Sequence, residues 1–190
     1  MNTNKKYIIQ IPKNINVLYC NKKKIVTFVG LLQKKSLKLE VKILLLPSTN
    51  SIIITNLQFN KTSNSNLKNI KSIQGTTAAK IKQIIIEISY TLYHKLNFVG
   101  LGYRVFPLEN FNNQIYFKLG FSHLIYFKIP NSVNTFCKRF TKLFIYGNSS
   151  LSDIMKTASL IQHCKKPEPY KGKGIIHEGE KILLKKGKKI

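Results

Sequence analysis

Alternation with a period of two is the pattern that most restricts how this chain can fold. Leu37, Leu39, Val41, Ile43 and Leu45 alternate with Lys38, Glu40 and Lys42, as expected of strands with one buried face and one wet face. Ile115, Phe117 and Leu119 alternate with Tyr116 and Lys118, and Ile125, Phe127 and Ile129 with Tyr126 and Lys128. Gly120-Phe-Ser-His123 between those two runs predicts a hairpin turn. Further strands are expected within 7–46, at Ile52–Thr55, Val133–Cys137 and Lys142–Tyr146. Only two stretches change to helical spacing. Ala78, Ile81, Ile85, Ile88 and Leu92 recur at three and four, predicting a helix capped by Gly75-Thr76-Thr77 and ending near His94 and Lys95. Leu151, Ile154, Ala158 and Ile161 predict a second, opened by Ser150 with Asp153 three residues on and stopped by Lys165, Lys166 and Pro167.

Strands, helix, strands, helix read as an α+β fold of two similar small domains, each a mostly antiparallel sheet with one packed helix. The expected boundaries are 1–94 and 95–166, followed by a basic C-terminal extension at 167–190. An internal match supports duplication: Ile11-Pro-Lys-Asn-Ile-Asn16 through Phe28-Val-Gly30 lines up with Ile129-Pro-Asn-Ser-Val-Asn134 through Ile145-Tyr-Gly147. Residues 56–74, rich in Asn, Ser and Lys, read as a loop.

Charge decides the class of partner. Thirty-two basic residues against seven acidic ones give a net charge of +25, far more than solubility requires, so a polyanion belongs to the working state. Apolar runs such as Ile43–Leu46 and Ile84–Ile86 fall well short of the ~20 residues that span a bilayer. No membrane span is expected. The three cysteines, Cys20, Cys137 and Cys164, form no C-x-x-C pair and read as small buried apolar groups in a reducing compartment.

Catalytic and metal readings fail on spacing. Val99-Gly-Leu-Gly-Tyr-Arg104 lacks the third glycine of a nucleotide loop, since position 105 is Val. It reads instead as a strand with Arg104 at its end, placed for contact with RNA. Ser122 and His123 are neighbours that a strand would point to opposite faces. His163, Cys164 and His177 lack tetrahedral zinc spacing. No enzyme activity, cofactor, metal or small-molecule substrate is expected.

The C-terminus, Lys165-Lys-Pro-Glu-Pro-Tyr170-Lys-Gly-Lys-Gly174, combines four ingredients for RNA. Pro167 and Pro169 favour extended backbone. Gly172 and Gly174 allow backbone N–H groups close to phosphate. Lys165, Lys166, Lys171 and Lys173 supply countercharge, joined further on by Lys185, Lys186, Lys188 and Lys189, and Tyr170 offers a ring for stacking. A chain cut before this tail is expected to keep its globular fold and to lose RNA affinity.

The segment P-E-P-Y-K-G-K-G at 167–174 resembles the signature of universal large-subunit ribosomal protein family six, in its bacterial and organellar form. Gly75-Thr76, Val99–Arg104, Leu119-Gly-Phe-Ser-His123 and the helix before Pro167 follow in that family's order. The first half resembles it mainly by strand pattern. The resemblance implies two α+β domains and contact with large-subunit rRNA made mostly by the second domain and its tail. It also implies neighbouring large-subunit ribosomal proteins and a place near the sarcin-ricin region and the factor-binding stalk base. Lys165-Lys166, Ile176-His177 and the enlarged 56–74 loop depart from the common pattern. The reading from charge alone leaves a nucleoid-type DNA-binding or RNA-chaperone protein as the alternative.

The basic charge is nearly all lysine, with Arg104 and Arg139 the two arginines, and Asn, Ile, Phe and Tyr are abundant. That bias fits an AT-rich coding sequence. With an N-terminus lacking a secretory or Arg-rich presequence, it points to a protein made where it works: the mitochondrial matrix, with plastid or bacterial cytoplasm as alternatives.

Overall fold

The structure is a computed structural model that describes residues 7–31, 33–59, 67–108, 113–147 and 150–187. The chain divides into two compact units, Met1–Tyr90 and Thr91–Ile190.

The first unit contains β1 (Ile8–Gln10), β2 (Asn16–Cys20), β3 (Ile25–Val29), β4 (Lys34–Lys38), β5 (Val41–Leu46), β6 (Ser51–Gln58) and α1 (Leu67–Ser89). Two antiparallel sheets form, ordered β1-β6-β5 and β2-β3-β4. The alternating apolar positions point inward: Val26, Phe28, Leu39, Val41, Ile43, Ile52 and Ile54 close one core with Ala78, Ile81, Ile85 and Ile88 of α1.

The helix departs from expectation at both ends. It begins at Leu67, so Gly75, Thr76 and Thr77 lie inside it rather than at its cap. The two hydroxyls donate back along the helix, Thr76 Oγ1 to Ile73 O at 3.0 Å and Thr77 Oγ1 to Ile73 O at 2.9 Å. This is how threonine satisfies itself in a helix interior. Part of the segment expected to be loop is therefore helical, and 60–66 lies outside the described residues. At the other end α1 stops at Ser89; Leu92, His94 and Lys95 belong to a strand.

The second unit contains β7 (Leu92–Val99), β8 (Arg104–Pro107), β9 (Gln114–Lys118), β10 (Ile125–Lys128), β11 (Asn134–Lys138), β12 (Lys142–Gly147), α2 (Leu151–Cys164) and β13 (Gly174–His177). Its sheets are ordered β10-β9-β8 and β11-β12-β7-β13. Ser150 caps α2 as expected, its Oγ accepting from the Asp153 N–H at 3.2 Å. Ile154, Thr157, Ala158 and Ile161 are the buried face. They pack with Leu96, Val105, Ile115, Phe117, Leu143, Ile145 and Ile175.

The two units share a sheet plan but not a strand order. Pairing β1-β6-β5 matches β10-β9-β8, and β2-β3-β4 matches β11-β12-β7, so β7, β8 and β9 stand in for β4, β5 and β6. Chain order in the second unit is thus a circular permutation of that in the first. Local hydrogen bonds repeat with the plan. Ile11 N–H to Asn50 O (2.7 Å) matches Ile129 N–H to Asn113 O (2.7 Å), and Ile15 N–H to Pro12 O (3.1 Å) matches Val133 N–H to Pro130 O (3.0 Å). Leu39 N–H to Lys24 O (2.7 Å) matches Phe98 N–H to Thr141 O (2.9 Å). Asn50 and Asn113 both take positive φ, a conformation asparagine tolerates better than most residues.

One strand has no counterpart among the described residues of the first unit. β13 adds to the β7 edge, with Gly174 opposite Val99 and His177 opposite Leu96. Ile175 is fully buried. Residues expected to belong to a separable tail are therefore part of the second unit's sheet and core.

Candidate nucleic-acid interface

Helix α2 ends at Cys164, and the chain then folds back on itself. Between Lys165 and Ile175 the loop is closed by three bonds: Glu168 N–H to Lys173 O and Gly172 N–H to Glu168 O, both 2.9 Å, and Ile175 N–H to Lys165 O, also 2.9 Å. Extended backbone through Pro167 and Pro169 was the expectation; the segment is instead a compact turn. The glycines serve the turn. The Gly172 N–H is already bonded, and a Cβ on Gly174 would lie 2.5 Å from Pro167 Cα, closer than two carbons can approach. Gly174 is required where the loop backbone crosses itself.

What the closed turn presents outward is Lys166, Tyr170 and Lys171, all exposed, with Lys173 half-buried. Tyr170 is 54% exposed. Residues 181–187 continue without regular structure, and Lys185 N–H bonds to Pro169 O at 2.8 Å, which returns Lys185 and Lys186 to the turn. Lys188 and Lys189 lie outside the described residues.

Two glycine-containing segments, read separately in the sequence, come together beside this turn. The ring of Tyr103 lies against Gly100 and Gly120, where a Cβ would meet it at 2.8 and 3.1 Å. Val99 ends β7 and Arg104 opens β8, and Gly100–Tyr103 between them is a turn rather than the continuous strand expected, with the Tyr103 ring filling the space the glycines leave. Leu119–His123 is the β9–β10 connection, as expected. Its Phe121 receives Lys165 Nζ at 4.1 Å from the ring centroid, a cation–π contact. Arg104, exposed at the start of β8 and opposite Lys118, stands apart on a sheet face. Lys165 is half-buried against Phe121, so it anchors the turn more than it projects.

A polar chain that the sequence did not suggest fastens β13 in place. Gln162 Nε2 donates to Glu180 Oε2 at 2.9 Å, leaving Gln162 Oε1 to accept from His177 Nε2–H at 3.0 Å. His177 Nδ1 then accepts from His94 Nε2–H at 2.6 Å. Lys95 Nζ reaches Glu178 Oε1 at 2.6 Å beside it. His94 and His177 are 83 positions apart, so only the β7–β13 pairing could reveal them.

Burial first, and then the neighbouring His177, hold the His94 pKa below its ordinary value, with Glu178 pulling the other way. A histidine with a depressed folded pKa contributes stability above the unfolded value of about 6.5 and loses it as pH falls through that value, because the unfolded chain takes up the proton first. Thermal melts between pH 8 and pH 5 should therefore show stability falling below about pH 6.5. His94→Gln should flatten that slope; an equally steep fall in the variant would remove His94 as its source.

Other candidate chemistry does not assemble. His177 meets His94 rather than Cys164, His163 is exposed, and among the described residues no three His, Cys, Asp or Glu side chains cluster to hold a metal. Ser122 and His123 sit in an exposed turn. Burial pushes the Cys137 thiol up to about 11, away from thiolate chemistry. Cys20, expected to be buried, is exposed on β2. No helix among the described residues is long and apolar enough to cross a membrane.

No family model matches the chain. Curated relatives do. The large ribosomal subunit protein uL6 of Malacoplasma penetrans (strain HF-2) is 33% identical over 181 residues, covering 95% of this chain and 92% of that one. The uL6 protein of Mycoplasma genitalium is 35% identical over 136 residues, 72% of each chain. That of Mycoplasmoides gallisepticum is 30% identical over 181 residues, 95% of this chain and 93% of its own. Two of these alignments run through both units, including the first half that the sequence motifs reached least. Near-complete coverage in both directions, at this identity, places the chain in the family of large ribosomal subunit protein uL6.

Proposed function

We propose that this chain is a non-catalytic structural constituent of the large ribosomal subunit, bound to rRNA near the sarcin-ricin region and the base of the factor-binding stalk. The observation that carries this reading is the family membership over both units. The self-closed turn at 165–175 supports it, because a turn held by its own backbone bonds presents Lys166, Tyr170 and Lys171 without first having to be ordered. The rRNA-contacting set is Arg104, Lys165, Lys166, Pro167, Pro169, Tyr170, Lys171, Gly172, Lys173, Gly174, Lys185, Lys186, Lys188 and Lys189. Lysines neutralise phosphate and Tyr170 stacks, so RNA shape is read more than base sequence. Neighbouring large-subunit proteins complete the site.

Nothing in the relatives favours the nucleoid-type alternative. For the compartment, the lysine- and asparagine-rich composition supports a mitochondrial ribosome. The mycoplasma relatives are bacterial and support bacterial cytoplasm instead. Fractionation of the source cells decides between them. The test of the main reading is co-sedimentation: the protein should stay with the large subunit through moderate salt. Recovery on DNA, or free at physiological salt, overturns it.

A further inference from the structure

We infer that the outer face of the β8-β9-β10 sheet is a second RNA surface, on which unpaired nucleotides stack. This rests on the rRNA-binding reading above but uses none of the 165–175 turn. One face of the sheet, Val105, Ile115 and Phe117, closes the core. The opposite face carries a cross-strand row, Phe106 opposite Tyr116 opposite Tyr126. Ring centroids are 5.0 Å apart for Phe106 and Tyr116 and 6.1 Å for Tyr116 and Tyr126. Phe140, from the β11–β12 turn, extends the row at 5.0 Å from Phe106. The ends of the row are open: Tyr126 is 65% exposed and Phe140 48%.

Cations bracket the rings. Arg104 and Lys118 lie two residues along the strands on one side and Lys128 two residues along on the other, all exposed and without a carboxylate partner among the described residues. Strands β8, β9 and β10 contain no Asp or Glu. Arg104 is one of the chain's two arginines, and the other, Arg139, is exposed and precedes Phe140 in the β11–β12 turn. Arg139 and Phe140 both take φ of 56°, a conformation that disfavours bulky side chains. The Val105 N–H to Phe140 O bond at 2.8 Å holds the turn there nonetheless.

The first unit supplies an internal comparison. By matched register, Tyr126, Tyr116 and Phe106 correspond to Ile8, Ile53 and Leu44, while Lys118 and Lys128 correspond to Thr55 and Gln10. Aliphatic residues are therefore enough to cover this sheet. The second unit has replaced them with π faces and added Lys118 and Lys128, while Arg104 stands where the first unit already has Lys42 and the turn residues Arg139 and Phe140 stand where it has Lys22 and Lys23. Stacked π faces flanked by cations are the combination that binds single-stranded nucleic acid by stacking and phosphate neutralisation.

The test compares the full-length chain with the variants Y126L/F140L, Y126F and K118Q/K128Q on an unpaired oligouridylate of about eight nucleotides and on an RNA duplex, across a salt series. Matched melting temperatures establish that the variants are folded. The aliphatic pair should bind the unpaired strand roughly tenfold or more weakly at every salt concentration with an unchanged salt slope. Y126F should bind like the unaltered chain. K118Q/K128Q should lower the slope instead. Unaltered binding by Y126L/F140L, or an equal loss on duplex and single strand, overturns this surface alone. An unaltered chain that binds neither RNA overturns the rRNA reading with it.

Discussion

Ending the chain after Lys165 is expected to cost the second unit its fold, and not only its hold on RNA. The removed segment contains β13, whose four residues pair with β7 from Leu96 to Val99. Ile175 is fully buried among Leu96, Leu143, Ile154 and Ile161. Loss of one such side chain to Ala costs about 2–5 kcal/mol, while a whole domain is stable by about 5–15 kcal/mol. The truncation removes more than that side chain. It also strips the His177 partner from His94 and Gln162, and Glu178 from Lys95. Circular dichroism melts and amide exchange on the truncated chain should show β7 and β12 unprotected at temperatures where the full chain is folded. A chain ended after Lys181 keeps β13 and its polar latch, and should melt like the intact protein. Cooperative melting of the shorter chain at the intact temperature, with β7 amides protected, would contradict this account of β13.

The sequence made β13 hard to see for a definable reason. Gly174-Ile-Ile-His177 offers two adjacent apolar residues and no alternation, because the strand follows a turn packed with lysine and proline. Charge density there points to a solvated tail, while burial of Ile175 depends on a register with β7, nearly eighty positions away. Alternating strands were legible because each carried its own period: Ile115, Phe117 and Leu119 are all buried. Helix α2 was legible at its start because Ser150 and Asp153 form a local cap. The start of α1 was not. Gly75-Thr-Thr looks like a cap, yet the helix already runs from Leu67 through a stretch where Ile70 and Ile73 are set among Lys68, Asn69, Lys71 and Ser72. Propensity alone cannot reveal a helical turn that tertiary packing completes.

The segment proposed to meet RNA was legible in its residue types, and its backbone geometry was not. Lys166, Tyr170 and Lys171 are exposed. The prolines and glycines, read as devices for extension and close approach to phosphate, instead close the turn on itself. Similarly, the Ile11–Gly30 match to Ile129–Gly147 revealed a true structural repeat, but a linear match cannot show that the remaining strands are permuted. Circular order is visible only in pairing.

Neutralising the exposed Lys166 and Lys171 of the turn together with the half-buried Lys173 should separate its electrostatic role from its fold. In the variant K166Q/K171Q/K173Q the backbone bonds that close the turn, Glu168 to Lys173 and Gly172 to Glu168, remain available because they use no lysine side chain. Gly174 and Ile175 also stay, so β13 and the melting temperature should be unchanged. Each phosphate left without its lysine takes about 0.9 off the slope of log K against log salt for a duplex and about 0.7 for a single strand. Removing three lysines should therefore lower the slope by about 2–3 and weaken binding to a large-subunit rRNA fragment by on the order of a hundredfold or more near 0.1 M salt. Filter binding across a salt series reads both quantities. Replacing Tyr170 by Leu in the same background should weaken binding further without changing the slope, because stacking releases no counterions. If the triple variant kept the full slope, the phosphate-binding groups would have to lie elsewhere on the chain, and the turn would be a structural clasp for β13 alone.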